Sequence, residues 1–299
     1  VEMLNIPDLK SDDISSFWKK EKRGETVHAP ISDGYTIIQE VKNTIPLTDE
    51  EKHDTLVWAA KEYLAAVMEA ADSKITNWAL LSEVINESGA LKHAADGDET
   101  GFYWQDYFGD EDYAPLVSKL AKEAYVNSKE GNNANSLVFF VEESNLQNSA
   151  KLQGLLNKVK AWNAKGADIK GIAAKLNVSY NLDKNKQAEQ EKAIAAMFEA
   201  VKSAGLLFRV SELSVNIVDA NNENVTKITF EQEKAVADFY QKIVAGYMSL
   251  PADKRAGITQ SALFDTKKDD DVVPTGLWYS DYSRKPAYAG WAEALGAAK

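Results

Sequence analysis

The sequence contains no cysteine, which excludes disulfide bonds, thiolate nucleophiles and thiolate metal ligands. It also lacks a run of about 18 apolar residues, the length that a membrane-spanning helix requires. Basic residues are in deficit: 34 Lys and Arg face 46 Asp and Glu, a net charge of −12. An acidic chain is repelled by phosphate backbones and by anionic lipids. We therefore expect neither nucleic acid nor a membrane surface among its partners.

Other common signatures of function are missing too. The three histidines, His28, His53 and His93, do not have the spacing of metal ligands. The sequence shows no glycine-rich phosphate loop and no nucleophile elbow. The run Asp269–Asp271 offers clustered oxygens for calcium, although a charged loop is the commoner use of such a run. We predict neither a metal nor a cofactor.

From about residue 48 onward, short apolar runs alternate with helical periodicity. Leu47–Glu51 (Leu-Thr-Asp-Glu-Glu) predicts a helix start with Thr48 as its cap. Strands are predicted at 75–83, 136–142, 169–177, 206–214 and 257–264, and helices at 114–125, 149–164, 186–203, 230–249 and 287–297. This alternation predicts an α/β fold with parallel strands, either a doubly wound sheet or a barrel.

Residues 1–47 do not follow this pattern. Asp12–Trp18 is polar with a few aromatics, and Val27–Val41 has room for one or two short strands. Three further strand–helix units would need about 100 residues, which this segment does not provide. We therefore divide the chain into an atypical N-terminal segment, 1–47, and a barrel portion, 48–299. Either the barrel is partial, or sequence upstream completes it.

Three segments carry a family resemblance. They are the loop Leu91–Ala94 with Phe102–Gly109, the strand motif Val210–Leu213 (Val-Ser-Glu-Leu), and the tail Gly276–Tyr288. In these segments, and in the order of its strands, the chain resembles the family 10 glycoside hydrolases, the endo-β-1,4-xylanases, including those of gut Bacteroidetes. The resemblance implies a (β/α)8 TIM-type barrel, with strands four to eight recognisable in 48–299 and the N-terminal part atypical or incomplete.

The resemblance also implies roles for two glutamates. Family members hydrolyse β-1,4-xylan with retention, using one carboxylic acid as acid/base and one carboxylate as nucleophile. Trp78–Glu83 (Trp-Ala-Leu-Leu-Ser-Glu) is similar to the motif that ends in the acid/base, so this role falls on Glu83. Glu212 matches the nucleophile. Both residues could instead be inherited carboxylates without a role in proton transfer.

The neighbours of these glutamates depart from the family pattern. Ser82 stands where the family has an Asn that binds a sugar hydroxyl, and Ser261 stands where it has a Trp that lies over the sugar. Asn177 replaces a His, and Ser214 replaces the Asp that is the partner of that His. Lys175 replaces a Gln, and Glu142–Glu143 replaces an Asn-Asp pair. We expect Lys175 to form an ion pair with Glu212, which would make the nucleophile less available. Together these changes predict impaired hydrolysis.

The favoured interpretation is a family 10-like protein that recognises a β-1,4-linked polysaccharide such as xylan with little or no hydrolysis. Its predicted substrate-binding residues are Trp78, Ser82, Lys175, Asn177 and Trp278. An active retaining endo-β-1,4-xylanase is the alternative, and a structural module with a vestigial cleft is a third possibility. By the same resemblance, we expect a secreted, periplasmic or cell-surface protein.

Overall fold

The computed structural model describes residues 20–22, 25–27, 47–72, 74–94, 101–130, 132–268 and 271–296. The chain divides into two compact units, Val1–Lys52 and His53–Lys299. In the first unit, β1 (Lys20–Lys22) and β2 (Glu25–Val27) form an antiparallel ribbon. Most of 27–41, where short strands are predicted, lies outside the described residues. The domain division after residue 47 stays a prediction.

The first long helix, α1 (Asp49–Ala70), begins where the sequence predicts a capped start. The N–H of Glu51 donates to the Thr48 hydroxyl at 3.2 Å, and the N–H of Thr48 donates to the Glu51 carboxylate at 2.9 Å. This reciprocal pair is the capping box of a Thr followed three residues later by a Glu.

The second unit contains a five-stranded parallel sheet in the order β3-β4-β5-β6-β7. Its strands are β3 (Asn77–Ser82), β4 (Val138–Ser144), β5 (Ile169–Asn181), β6 (Leu207–Val218) and β7 (Arg255–Gln260). All neighbouring pairs are parallel, so the predicted arrangement is confirmed. Parallel strands paired in sequence order are the connectivity of a barrel segment.

Helices connect these strands. They are α2 (Gln105–Phe108), α3 (Tyr113–Ser128), α4 (Ser149–Ala164), α5 (Lys184–Ala204) and α6 (Phe230–Met248). An antiparallel ribbon, β8 (Thr266–Lys268) with β9 (Asp271–Val273), and a last helix, α7 (Pro286–Ala294), follow β7. Side chains of Asn148, Asp183 and Thr229 cap α4, α5 and α6, which satisfies N–H groups that a helix start leaves free.

Strands β5 and β6 extend farther than the sequence predicts. They are predicted to end at residues 177 and 214, but their pairing continues to Asn181 and Val218. The apolar side chains of the extension lie in the main core: Val178, Val215 and Ile217 are buried. Their burial stabilises the additional pairs.

The loop that follows β3 is positioned by a close contact with α4. A Cβ atom on Gly154 would lie 2.0 Å from the carbonyl oxygen of Gly89, so no side chain fits between loop and helix. Gly89 itself has φ +87°, a conformation that glycine adopts readily. This contact holds Glu87 beside the first turn of α4.

Candidate active site

The two glutamates lie in one row across the sheet. Glu83 follows β3 directly, and its N–H donates to the Glu142 carbonyl of β4 at 2.9 Å. Lys175 on β5 is in register with Ser144 on β4 and with Glu212 on β6. Functional residues of a barrel gather on this C-terminal side of the strands. Glu212 lies within β6, because that strand continues beyond its predicted end at residue 214 to Val218.

The protein holds the Glu83 carboxylate by both oxygens. Ser144 donates its N–H to Oε1 and its hydroxyl to Oε2, each at 2.9 Å. The ammonium groups of Lys92, Lys151 and Lys175 lie 3.7, 3.8 and 3.8 Å away. The Glu83 backbone has φ 54°, in the left-handed region that is uncommon for residues with a Cβ atom. Glu83 is therefore fixed against β4 by several protein groups at once.

Lys175 does not pair with Glu212. Its ammonium lies 3.3 Å from Glu142 Oε2 and 3.8 Å from Glu83 Oε1, its two ion-pair partners among the described residues. Burial lowers its pKa, but Glu142, Glu83 and then Glu212 outweigh burial and raise the pKa of Lys175. The predicted Lys175–Glu212 ion pair is wrong because two carboxylates attract the ammonium toward β3 and β4, and only one attracts it toward β6.

A buried ion pair supports the loop after β3. Glu143, fully buried, accepts the N–H groups of Val84 at 2.6 Å and Ile85 at 2.8 Å. Lys151, whose side chain is 2% exposed, lies 3.2 Å from Glu143 Oε2 and 3.3 Å from Glu87 Oε1. Burial lowers its pKa, but these carboxylates outweigh burial and raise the pKa of Lys151. The pair thus anchors the backbone that carries the predicted acid/base.

Sequence reasoning missed Lys151, although a signal was present. Lys151 lies at helical spacing from Leu155, Val159 and Trp162, all of which are buried on one stripe of α4. A charged side chain on a buried stripe requires a partner of opposite charge. Glu143, within the largely apolar β4, is the matching partner.

A chain of neutral hydrogen bonds holds Glu212. The Ser214 hydroxyl donates to Asn177 Oδ1 at 2.6 Å, and Asn177 Nδ2 donates to Glu212 Oε2 at 3.0 Å. These two residues stand where the resemblance expects a His and its Asp partner. One hydrogen-bonded pair has therefore been replaced by another. An amide can orient the carboxylate, but it does not exchange a proton as an imidazole does.

Ser82 lies at the site and Trp78 does not. The Ser82 hydroxyl donates to Glu142 Oε2 at 3.3 Å. Trp78 lies near the start of β3, its indole N–H donates to the Ile75 carbonyl at 3.1 Å, and it packs against the buried cluster that contains Phe139. Trp78 thus lies away from the strand ends that carry the glutamates, and the substrate-binding role predicted for it stays a prediction.

Trp278 is partly buried in the segment that follows β7. Its ring contacts the edge of Tyr288 at 5.1 Å between centroids, and the Arg284 guanidinium lies 5.4 Å from its centroid. Tyr282 of the same segment is 75% exposed and has φ 68°. Trp278 therefore packs within the tail, and its predicted contact with substrate stays a prediction.

The described residues include no cluster of three or more His, Asp or Glu side chains that suits a metal ion. His53 lies beside Asp54, and His93 bonds to Asp106. His28 and residues 269–270 lie outside the described part of the chain. Within that part, every helix is too short or too polar to cross a membrane.

Comparison with known proteins identifies xylanases as relatives of this chain. A model of glycosyl hydrolase family 10 matches residues 36–294, starting inside the segment that the sequence sets apart. Endo-1,4-beta-xylanase C of Paenibacillus barcinonensis is 24% identical over 249 residues. This match covers 80% of this chain and 20% of the length of that xylanase. Endo-1,4-beta-xylanase A of Halalkalibacterium halodurans is 23% identical over 256 residues, 81% of this chain and 59% of its own. The chain thus spans less than two thirds of these relatives.

Solved structures show the same fold. Xylanase B from Clostridium stercorarium F9 has a TM-score of 0.66 at 19% identity, over 83% of this chain and 69% of that one. Native xylanase 10C from Cellvibrio japonicus has a TM-score of 0.64 at 20% identity, and the match covers 81% of this chain and 51% of that xylanase. The α/β fold is therefore of the TIM-barrel type, with the described parallel sheet as part of a barrel. With its family match covering most of the sequence, the chain belongs to glycosyl hydrolase family 10.

Proposed function

We propose that this chain recognises a β-1,4-linked polysaccharide such as xylan and hydrolyses it poorly or not at all. The observation that carries the proposal is the environment of Glu83, whose two carboxylate oxygens both accept hydrogen bonds from Ser144. A residue that protonates a leaving oxygen must direct an O–H group at the substrate. Because Ser144 holds both oxygens of Glu83 against β4, the carboxyl group is not free to turn toward a leaving oxygen.

Two features support glycan recognition. The relatives are xylanases by name, and the hydroxyl and amide groups of Ser82, Asn177 and Ser214 lie near the glutamates. A small number of placed polar groups is what fixes a ligand in a binding cleft. We propose these residues, with Lys175, as glycan contacts.

An active retaining xylanase is the alternative, and Glu212 favours it. Among the described residues, its carboxylate accepts one hydrogen bond, from Asn177, and has no cation at ion-pair distance. A carboxylate that is not paired with a cation is available as a nucleophile. The alternative therefore predicts slow cleavage that is limited by departure of the leaving group.

Parallel hydrolysis and binding measurements test the proposal. Xylan and xylo-oligosaccharides are incubated with the protein, products are separated by chromatography, and affinity is measured by calorimetry. We expect binding without products from xylan. We also expect turnover of para-nitrophenyl β-xylobioside, whose leaving group departs without a proton, and its loss in Glu212→Gln.

Two outcomes would contradict the proposal. Efficient xylan hydrolysis that disappears in Glu83→Gln would mean that Glu83 works as the acid, and the alternative would hold. Absence of binding to every xylo-oligosaccharide would remove glycan recognition itself.

We also propose a location and a class of partner. Because an intact polysaccharide is too large to enter a cell, we propose that a protein that binds it is secreted, periplasmic or on the cell surface. The net charge of −12 argues against nucleic acid as a partner. Immunodetection in cell fractions tests the location, and an entirely cytoplasmic protein would contradict it.

A further inference from the structure

We infer that Glu142 competes with the ligand inside the site, because its carboxylate binds the Ser82 hydroxyl and the Lys175 ammonium, two groups that would otherwise contact a sugar. This inference rests on the proposed function, in which both groups are glycan contacts. It says which residue of the chain limits the affinity for the glycan.

The sheet places Glu142 between its two partners. Glu142 on β4 is opposite Ser82 on β3, and Lys175 on β5 is opposite Ser144, which lies two residues farther along β4. Residues two apart on a strand share a face, so Glu142 and Ser144 lie on the same side of the sheet. The carboxylate of Glu142 therefore meets one side chain from each neighbouring strand.

Glu142 and the adjacent Glu143 serve different parts of the molecule. Glu143 is fully buried and pairs with Lys151 of α4 on the helix side of the sheet. The Glu142 side chain is 17% exposed, and its partners Ser82 and Lys175 belong to the site. Successive side chains of a strand point to opposite faces, which explains this division. Glu142 can therefore be replaced without removing the carboxylate that pairs with Lys151.

Both contacts of Glu142 use one carboxylate oxygen. The Ser82 hydroxyl donates to Oε2 at 3.3 Å, and the Lys175 ammonium lies 3.3 Å from the same atom. Among the described residues, the Ser82 hydroxyl has no other hydrogen-bond partner. Burial lowers the pKa of Lys175, and Glu142 is the strongest of the carboxylates that outweigh burial and raise it. Glu142 is therefore the main protein partner of both donors.

A neutral sugar competes poorly for these two donors. Hydrogen bonds in which one group is ionised are roughly twice as strong as bonds between neutral groups. A carboxylate therefore holds a hydroxyl and an ammonium more firmly than the hydroxyl groups of a sugar would. A glycan that contacts Ser82 and Lys175 has to displace Glu142 first, and this cost lowers its affinity.

Affinity measurements with xylotriose test the competition. In calorimetry, Glu142→Ala should bind xylotriose about three- to tenfold more tightly than the wild type, because Ser82 and Lys175 are then released to the sugar. Glu142→Gln keeps the size of the side chain and an acceptor for Ser82, but it loses the ion pair. Its gain should therefore be smaller, about two- to threefold.

A further pair of variants tests whether the gain depends on the two donors. In the background Ser82→Ala/Lys175→Gln, the substitution Glu142→Ala has no donor to release, so the proteins with and without it should bind xylotriose alike. A gain of the same size in this background would overturn the inference. The gain would then come from the space or the charge that Glu142 leaves.

Glu191→Ala is the matched control. Glu191 on α5 also holds one ammonium and one neutral donor, since Lys242 lies 2.7 Å from its Oε2 and Gln187 Nε2 donates to its Oε1 at 3.1 Å. Its half-buried side chain lies between α5 and α6, away from the strand ends that carry the glutamates. This variant should bind xylotriose as the wild type does.

The outcomes separate this inference from the proposed function. Wild-type protein that binds xylotriose as tightly as Glu142→Ala does would overturn the competition and leave the proposed function in place. Binding by Glu142→Ala alone would support the competition and contradict glycan recognition by the wild type. Absence of binding by both proteins, to every xylo-oligosaccharide, would overturn the two together.

Discussion

The two sides of the site hold their glutamates by different means. On the β3–β4 side, Glu83 lies among the ammonium groups of Lys92, Lys151 and Lys175 and is bonded at both oxygens. On the β5–β6 side, Glu212 has one neutral partner, the amide of Asn177. The first environment is a charged network that continues into the buried Lys151–Glu143 pair, and the second is a surface of uncharged groups.

The two environments differ in the free-energy cost of disturbing them. Charged networks with a buried member are costly to disturb, because removing one partner leaves the other charge unpaired. Neutral hydrogen bonds near water are exchanged for bonds to a ligand at little cost. We therefore interpret the buried part of the Glu83 side, Lys151 with Glu143, as support for the fold, and the Glu212 side as the part of the glycan-binding surface that exchanges its bonds most easily.

The largest expected effect is on the charged side. Lys151→Met should lower the free energy of unfolding by about 3–5 kcal/mol, because the fully buried Glu143 then has either to stay charged without a cation or to be protonated, and both cost free energy. Urea denaturation monitored by circular dichroism measures this change.

The matched control for Lys151→Met is Lys242→Met. Lys242 pairs with Glu191 at 2.7 Å, but its side chain is 59% exposed, so the loss should stay below about 1 kcal/mol. Equal effects of the two substitutions would mean that the Lys151 network does not support the fold.

A smaller effect is expected on the neutral side, where Tyr240 of α6 contacts the back of β6. Its hydroxyl accepts the Val215 N–H at 3.0 Å and donates to the Thr275 carbonyl at 3.3 Å. Tyr240→Phe leaves this buried N–H without its side-chain partner, and should cost about 1–3 kcal/mol in urea denaturation. Tyr125→Phe, which removes only a 3.4 Å contact with Ser136, is the control and should cost less.

The same tyrosine predicts a dependence on pH. Burial raises the pKa of Tyr240 to about 12, above its ordinary value of 10.0. A raised pKa contributes stability that is complete below pH 10 and is lost as the pH rises toward 12. Wild-type stability should therefore fall more steeply than that of Tyr240→Phe between these limits. Parallel pH profiles of the two proteins would contradict the assignment.

Much of the fold follows from the sequence, but the site follows only in part. Periodicity located the strands and helices, since a buried face repeats at fixed spacing. The sequence pattern does not predict the ends of β5 and β6, because the polar–apolar alternation after Lys175 differs from the apolar run before it. The expected Lys175–Glu212 pair rests on the resemblance, which places their two strands side by side. Register fixes which Cα atoms are opposite, but a four-carbon side chain turns toward the stronger charge, here Glu142 and Glu83.

The smallest effect on stability, and the one that bears most on function, is expected from Lys175→Gln. The side chain is 25% exposed, between the exposed Lys242 and the buried Lys151, so its loss should change the free energy of unfolding by about 1 kcal/mol. It also removes an ammonium from Glu83 Oε1, and Ser144→Ala removes the hydroxyl from Oε2. The double variant should therefore raise any trace xylan hydrolysis above that of Lys175→Gln alone, or leave both at zero.

Xylan product analysis measures this outcome, with Lys242→Gln as a control that should match the wild type. If lysine and serine restrain the predicted acid, releasing them should increase hydrolysis at saturating xylan, where the loss of the proposed glycan contact of Lys175 no longer limits turnover. Wild-type protein that hydrolyses xylan well and loses this activity in Lys175→Gln would show the opposite. The lysine would then belong to a working mechanism, and the contrast between a restrained Glu83 and an open Glu212 would no longer explain the site.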